Sequence, residues 1–409
     1  MSLGRRAFLT LSVLAICIAT VRPAGDALPD GWSFQIASGD EATAEAIQNL
    51  LLFIPFGIAL ALLQPAPWRK LLVLGFALSF TVEFLQQWIP GRDPSLGDLV
   101  ANSLSTVLGG ALVWAAPRAL HPPEQRAPWL SLGAAGVAAA VWLATGWLFQ
   151  PSFPQATYYD RWTPDIPKWP NYEGQIEWAT LGPHVLEEGP IGGGERGGGL
   201  DLGPSLMAAG AAVRVHVIAG PPPPDRAPIL TINDEAHRDI LIVGQDRNDP
   251  LIVYRTRAAA LRFARPDLRA RHALAGVHPG DSVTISALRE VNGRYCINTS
   301  CGLGYTIGDA WTLIFFPEHF APWAMALLNA AWVGGGLFGV GLWARGHRAT
   351  GGALLLAGLT LALGPGLVGL NPTPLSEWLG GVTGLTLGWL AWRNRDRLSF
   401  LRAPPLTEG

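Results

Sequence analysis

The runs 70-KLLVLGFALSFTVEFLQQWI-89 and 97-GDLVANSLSTVLGGALVWAA-116, separated by one short turn, decide the fold class. Each is close to the roughly 20 mainly apolar residues that a membrane-crossing helix needs. Each also carries polar groups that hydrocarbon does not tolerate without a reason. An ionisable side chain at mid-membrane costs roughly 2.5–3.5 kcal/mol on insertion scales. Ser79, Glu83 and Gln86 fall on one helical face by their spacing, and so do Asp98, Asn102, Ser105 and Gly109. Two apolar helices with polar stripes and a short connection must be neighbours in a membrane bundle.

Composition agrees. Of 409 residues, 49% are hydrophobic and only 15% charged, against about 25% charged in an ordinary soluble domain. Mean hydropathy is +0.26. These values exclude a disordered chain and argue against a cytosolic enzyme. A net charge of −2 offers no basic excess for nucleic acid. Seventeen Trp against six Tyr suit membrane interfaces. Eight spans are predicted, at 7–22, 49–66, 70–89, 97–116, 129–148, 322–344, 351–370 and 375–392. The first follows Arg5-Arg6 and reads as a signal-like segment. It has no good small-residue cleavage site and is taken as an uncleaved anchor. The domains expected are a membrane block at 1–148, a block at 149–320 without spans, and a second membrane block at 321–409.

The positive-inside rule orients this arrangement. Arg5, Arg6, Arg69, Lys70, Arg118, Arg126, Arg345, Arg348, Arg393 and Arg395 fall on one side, the cytoplasm, with both termini. The acidic loop holding Asp26, Asp30 and Asp40 falls outside, as does the whole of 149–320. Arg92 is the basic residue in a short outer turn that breaks the pattern. Asn49, Glu83, Gln86, Asp98 and Asn102 then all lie toward the outer ends of their helices, with Arg92 between two of them. Such a cluster has two readings. It is a buried ion pair with amide partners that fixes helix packing, or it is a binding or reaction site.

Asn49–Gly57 (NLLLFIPFG), Ser79–Gln86 (SFTVEFLQ) and Gly91–Gly109 (GRDPSLGDLVANSLSTVLG) together resemble the VanZ-like family. The family pattern is an Asn before Phe-x-Pro-x-Gly, a Ser-x-x-x-Glu-x-x-Gln helix, then Arg and Asp-x-x-x-Asn leading into a Gly-containing helix. The resemblance covers about residues 7–116, roughly a quarter of the chain. It departs at Ser105, where the family usually has Gly. It implies an integral membrane protein of a family named for resistance to the glycopeptide antibiotic teicoplanin, with no settled biochemical activity. The last membrane block reads as a faded copy of the first. Glu377, Gly381, Gly384 and Gly388 repeat the spacing of Asp98, Asn102, Ser105 and Gly109, and Asn329 stands for Asn49.

Between the membrane blocks, short apolar runs alternate with turns. Strands are predicted over Val213–Ala219, Ile229–Ile232, Ile240–Val243, Leu251–Tyr254, Ser282–Leu288 and Trp311–Phe316. Asn292-Gly293 signals a hairpin, and Gly192–Gly199 reads as a flexible loop lacking the Lys-Ser/Thr of a phosphate loop. The strand rhythm suggests an antiparallel sandwich. It resembles a concanavalin A-like, laminin-G-like jelly roll, which implies ligand binding, often of carbohydrate. Tyr254, Arg255 and Trp311 are the ligand candidates, though Tyr254 and Trp311 also suit a sandwich core. Cys296 and Cys301 suit a disulfide on the oxidising side of the membrane. A metal pair would need two further ligands, and none is spaced for it. Asp246, Asn248 and Asp249 read as a turn, with Ca²⁺ ligation as the alternative. No metal and no cofactor is expected.

The expectation is a mixed fold: an α-helical polytopic membrane bundle with an inserted all-β sandwich of jelly-roll kind, in a bacterial inner membrane. Its partners would be the bilayer and an envelope glycan, glycopeptide or lipid-linked sugar. The residues leave open whether it only binds, or acts as an enzyme on a lipid-linked substrate with Glu83 or Asp98 as acid or base and Arg92 holding a phosphate or carboxylate.

Overall fold

The computed structural model describes residues 3–23, 28–29, 31, 41–63, 67–154, 156–166, 169–190, 212–290, 293–315, 320–346 and 348–396. Asp26, Asp30, Asp40, Gly192–Gly199, Asn292 and Phe316 lie outside them. The chain divides into two compact units. One holds residues 1–137, 334–356 and 381–409, and the other 138–333 and 357–380.

The first unit opens with α1 (Leu3–Thr20), α2 (Ala42–Leu63), α3 (Trp68–Gln86) and α4 (Leu96–Leu120). Their apolar core is Ile16, Phe53, Phe56, Leu60, Leu71 and Val82. Lipid is as apolar as leucine, so close backbone approach rather than hydrophobicity must join the helices. Gly109 supplies it: a Cβ there would collide with the carbonyl oxygen of Ile54 and sit 2.9 Å from the nitrogen of Ile58. Gly57 is pressed in the same way against the carbonyl of Thr106. Ser105 fits the same seam, fully buried, and its hydroxyl donates to the Leu50 carbonyl of α2. The outward side of α3 carries a ladder of exposed rings, Phe76, Phe80, Phe84 and Trp88, each in contact with the next.

Four more long helices follow: α5 (Ala127–Leu148), then, beyond the strands, α7 (Pro322–Leu342), α8 (Arg348–Leu367) and α9 (Leu375–Arg393). Among the described residues, six helices are long and apolar enough to cross a membrane, where eight spans were expected. The two that fall short are α3, with Arg69, Lys70 and Glu83, and α9, with Glu377, Arg393 and several glycines.

The second unit contains two six-stranded antiparallel sheets. The first runs β4-β1-β6-β7-β8-β9: Gly189–Pro190, Tyr158–Trp162, Ala227–Asp234, Asp239–Asp246, Asp249–Tyr254 and Leu268–Arg269. The second runs β12-β11-β10-β5-β2-β3: Ser300–Leu303, Tyr295–Ile297, Ser282–Arg289, Ala212–Ile218, Gln175–Leu181 and His184–Leu186. In the first sheet β6 and β7 are buried nearly throughout. Ile166 and Trp169 cover Ile242, Leu251 and Val253 on one side, and Tyr254 stacks on Tyr295 of the second sheet on the other. The second sheet alternates. Val213, Val215 and Val217 are buried while Arg214 is exposed and His216 half-buried, the pattern of a sheet solvated on one face. A four-residue helix, α6 (Arg257–Ala260), follows β8.

One predicted strand is not a strand. The apolar run Trp311–Phe316 predicts an extended strand, but Gly308–Leu313 forms a 3₁₀ helix. Local polar chemistry overrides its apolar run. The Asp309 carboxylate accepts the Thr306 N–H at 2.7 Å, and the Thr312 hydroxyl donates to the Asp309 carbonyl at 2.7 Å, which closes tight turns in place of a ladder.

Candidate functional site

The first polar cluster is built at the start of α4. Ser95 is its N-cap, in extended backbone, and the hydroxyl accepts the Asp98 N–H at 3.0 Å. This is half of a capping box. The other half comes from a different helix: Glu83 of α3 accepts the Ser95 N–H at 2.9 Å. With that role filled, the Asp98 carboxylate is released to accept from Asn49 of α2, Nδ2 to Oδ1, at 2.6 Å. Two acidic residues from separate helices thus converge on one helix N-terminus, where the macrodipole favours negative charge. Glu83 is 2% exposed and Asp98 half-buried. Ser95→Ala should remove the cap and cost about 1 kcal/mol of stability, read as a lowered unfolding midpoint of the purified protein.

The other expected members take different places. Asn102, buried, donates to Ser79 of α3 at 3.0 Å, and its Oδ1 has no partner among the described residues. Gln86 donates to the Thr20 carbonyl at 3.0 Å. Arg92 donates to the carbonyls of Ala19 at 2.7 Å and Arg22 at 2.9 Å. Both residues satisfy the orphan carbonyls at the C-terminal end of α1. The geometry therefore separates a carboxylate–amide group (Asn49, Glu83, Ser95, Asp98) from a clamp on α1 (Gln86, Arg92). Ser95 carried no apolar-face signal, so its part was not legible from spacing.

A second polar cluster occurs within the second unit. Asp309 accepts from Asn329 Nδ2 at 2.7 Å, and Asn329 Oδ1 accepts from the Trp311 indole at 2.8 Å. The Thr306 hydroxyl lies 2.9 Å from the Asp309 carboxylate and also bonds Glu377. Glu377 is fully buried, and its Oε2 has no partner among the described residues. The helix contacts here repeat those of the first block. Gly380 and Gly384 of α9 press on the carbonyls of Ala330 and Gly334 of α7, as Ser105 and Gly109 meet those of Leu50 and Ile54. This aligns Asn329 with Asn49 but Glu377 with Asn102, one turn away from the register read in the sequence.

Burial pushes the Asp309 carboxyl above the usual carboxylate range. A carboxyl raised in the folded state is held with its proton there, so its stability contribution is complete below the unfolded value. It is lost as pH climbs through the folded one. Thermal unfolding should therefore show stability falling with rising pH above the ordinary carboxylate range. Asp309→Asn should flatten that slope while lowering the plateau, because it loses an acceptor.

The ligand candidates of the β region are placed as follows. Tyr254 is 5% exposed, and its hydroxyl donates to the Phe149 carbonyl at 3.4 Å. Trp311 is 7% exposed. Neither ring offers a face to solvent. Burial drives the Tyr254 phenol far above its ordinary range and that of Tyr295 up to about 12. Arg255 is half-buried, and its N–H donates to the Ile240 carbonyl. Cys296 and Cys301 are joined by a disulfide, so their sulfurs are not free as metal thiolates. Asp246 pairs with Arg269 at 2.8 Å, and Asp249 accepts the His272 N–H at 2.5 Å.

These helices and their buried polar ends define a multi-pass membrane protein carrying a β region. Residues 13–117, about a quarter of the chain, match the VanZ/LLP1 family model. The comparisons with curated proteins and with solved structures found no match.

Proposed function

We propose that this is a multi-pass protein of a bacterial inner membrane, with both termini cytoplasmic and the β region outside. All eight long helices would cross the bilayer. In this reading the Asn49/Glu83/Ser95/Asp98 group holds a polar lipid headgroup at the outer leaflet, and the β region recognises surface glycan or glycopeptide. The observation that carries the headgroup reading is the convergence of Glu83 and Asp98, acidic residues of separate helices, around Ser95 at one end of the bundle, Glu83 accepting the Ser95 N–H and the Asp98 carboxylate accepting from Asn49. Two further features support the orientation and the span count. The ring ladder on α3 is an apolar face fit for lipid. Arg69 lies over Trp68 at the end of α3 opposite Glu83, and Trp389 and Trp392 carry Arg393, Arg345 and Arg395 over their rings at the C-terminal end of α9, basic aromatic ends that suit a membrane interface. Carboxylates with an amide donor favour an ammonium headgroup.

The experiment is headgroup selectivity of the full chain in nanodiscs, with phosphatidylethanolamine against phosphatidylglycerol. Retention of the ethanolamine lipid is expected, and it should be lost in Glu83→Gln and Asp98→Asn. Equal retention in all three proteins contradicts the reading.

A second reading is an enzyme on a lipid-linked envelope substrate. The unequal burial of Glu83 and Asp98 favours it, since unlike environments separate an acid from a base. It expects lipid-linked precursors to accumulate in Glu83→Gln cells. Unchanged precursor levels argue against it.

A further inference from the structure

We propose that the solvated face of the second sheet is a carbohydrate-binding surface centred on Trp178 and His216. The inference rests on the reading of the β region as the recognising part, and it names the surface that does the recognising.

The strand register places two cross-strand rows on this face. Trp178, His216 and Thr284 are direct neighbours across β2, β5 and β10, and Thr180, Arg214 and Ser286 form the next row. Pairing runs regularly along β5 and β10, but β2 slips between Ile176 and Trp178. Glu177 is the extra residue. The slip turns Glu177 and Trp178, consecutive in sequence, out to solvent together, while Ile176 and Ala179 on either side stay buried. Bulges re-aim side chains in this way.

Both outturned side chains engage His216. The Trp178 and His216 rings stack with centroids 5.0 Å apart and planes 6° from parallel. The Glu177 carboxylate lies 3.2 Å from His216 Nε2. Ser282 Oγ lies 2.8 Å from the same nitrogen, and Thr284 Oγ1 lies 2.8 Å from Nδ1. The imidazole is thus held by four side chains from β2 and β10 on a face open to water. An ordinary solvated face gains nothing from fixing so many rotamers. A binding face does, because the ordering cost is met before the ligand arrives.

The occupant follows from the chemistry. Trp178 is 40% exposed and gives a flat apolar surface, which suits the C–H face of a pyranose ring. Around it stand a carboxylate, two hydroxyls and, one row on, the exposed Arg214, all able to bond ring hydroxyls, while the imidazole, both nitrogens engaged, holds them in place. One carboxylate and one guanidinium leave no strong field of either sign. The face therefore favours a neutral sugar over a phosphate or a polyanion.

The test titrates the full chain in nanodiscs with two neutral probes, chitotetraose and cellotetraose, followed by saturation-transfer NMR. Thermal unfolding of each variant is recorded beside it. Binding of at least one probe is expected. Trp178→Ala should weaken it at least tenfold and His216→Ala at least threefold, with Leu261→Ala, exposed elsewhere in the unit, leaving it unchanged. Should Trp178→Ala fail to fold, Trp178→Gln and Arg214→Ala carry the same expectation. Binding that survives these substitutions overturns this surface and leaves glycan recognition standing elsewhere. No binding of either probe by the unaltered protein overturns the surface and the glycan reading together.

Discussion

Gly109→Leu is expected to leave no folded protein in detergent extracts. A Cβ at Gly109 already meets the Ile54 carbonyl and lies 2.9 Å from the Ile58 nitrogen. Those are backbone atoms of α2 and cannot rotate away. The leucine must push α4 off α2 and break the seam that also buries Ser105 and Gly57. Overpacking typically costs about 1–3 kcal/mol. A backbone collision between helices exceeds that and consumes a large part of a stability of about 5–15 kcal/mol. Gly133→Ala is the comparison, since a Cβ there meets nothing within 4 Å. It should be neutral or stabilise α5 by up to about 1 kcal/mol through helix propensity. Size-exclusion profiles and thermal unfolding separate the two. A monodisperse Gly109→Leu protein would refute the packing described here.

Glu83 should divide by chemistry. Glu83→Ala removes the only acceptor described for the Ser95 N–H. An unmet donor costs about 1–3 kcal/mol, so the unfolding midpoint should fall clearly. Glu83→Gln keeps an amide oxygen for the same bond and should unfold within about 1 kcal/mol of the unaltered protein. It nonetheless loses the negative charge, and with it the retention of phosphatidylethanolamine. If Gln behaves as Ala does in stability, the carboxylate is a packing element. If Gln is neutral in both measurements, the charge has no function.

What was legible in the sequence was whatever obeys a short period. The 3.6-residue turn put Glu83 on the face of α3 that meets α4, and Asp98 on α4 within reach of Asn49. The short apolar runs between the membrane blocks marked β5, β6, β7, β8 and β10 close to where they form. What escaped depends on contacts made only after folding. Ser95 looks like any turn residue until Glu83 arrives to complete its cap. Arg92 lies between Glu83 and Asp98 in sequence, yet it finds the carbonyl end of α1 instead. Asp309 turned an apolar run into a 3₁₀ helix by bonding its own backbone neighbourhood. The slip at Glu177 changes which side two residues face, and nothing in the local composition announces it. The near-repeat in the last helices was visible as spaced glycines, but glycine spacing alone allowed a register one turn from that of the contacts.

The central claim is that the Glu83/Ser95/Asp98 end of the bundle opens to the non-cytoplasmic side. Asp93, exposed in the turn beside it, is the reporter. With Cys17 replaced by serine, Asp93→Cys should react with a membrane-impermeant maleimide added to intact cells whose outer barrier has been removed. Reaction only after the inner membrane is permeabilised would put the carboxylates at the cytoplasmic end and contradict the account.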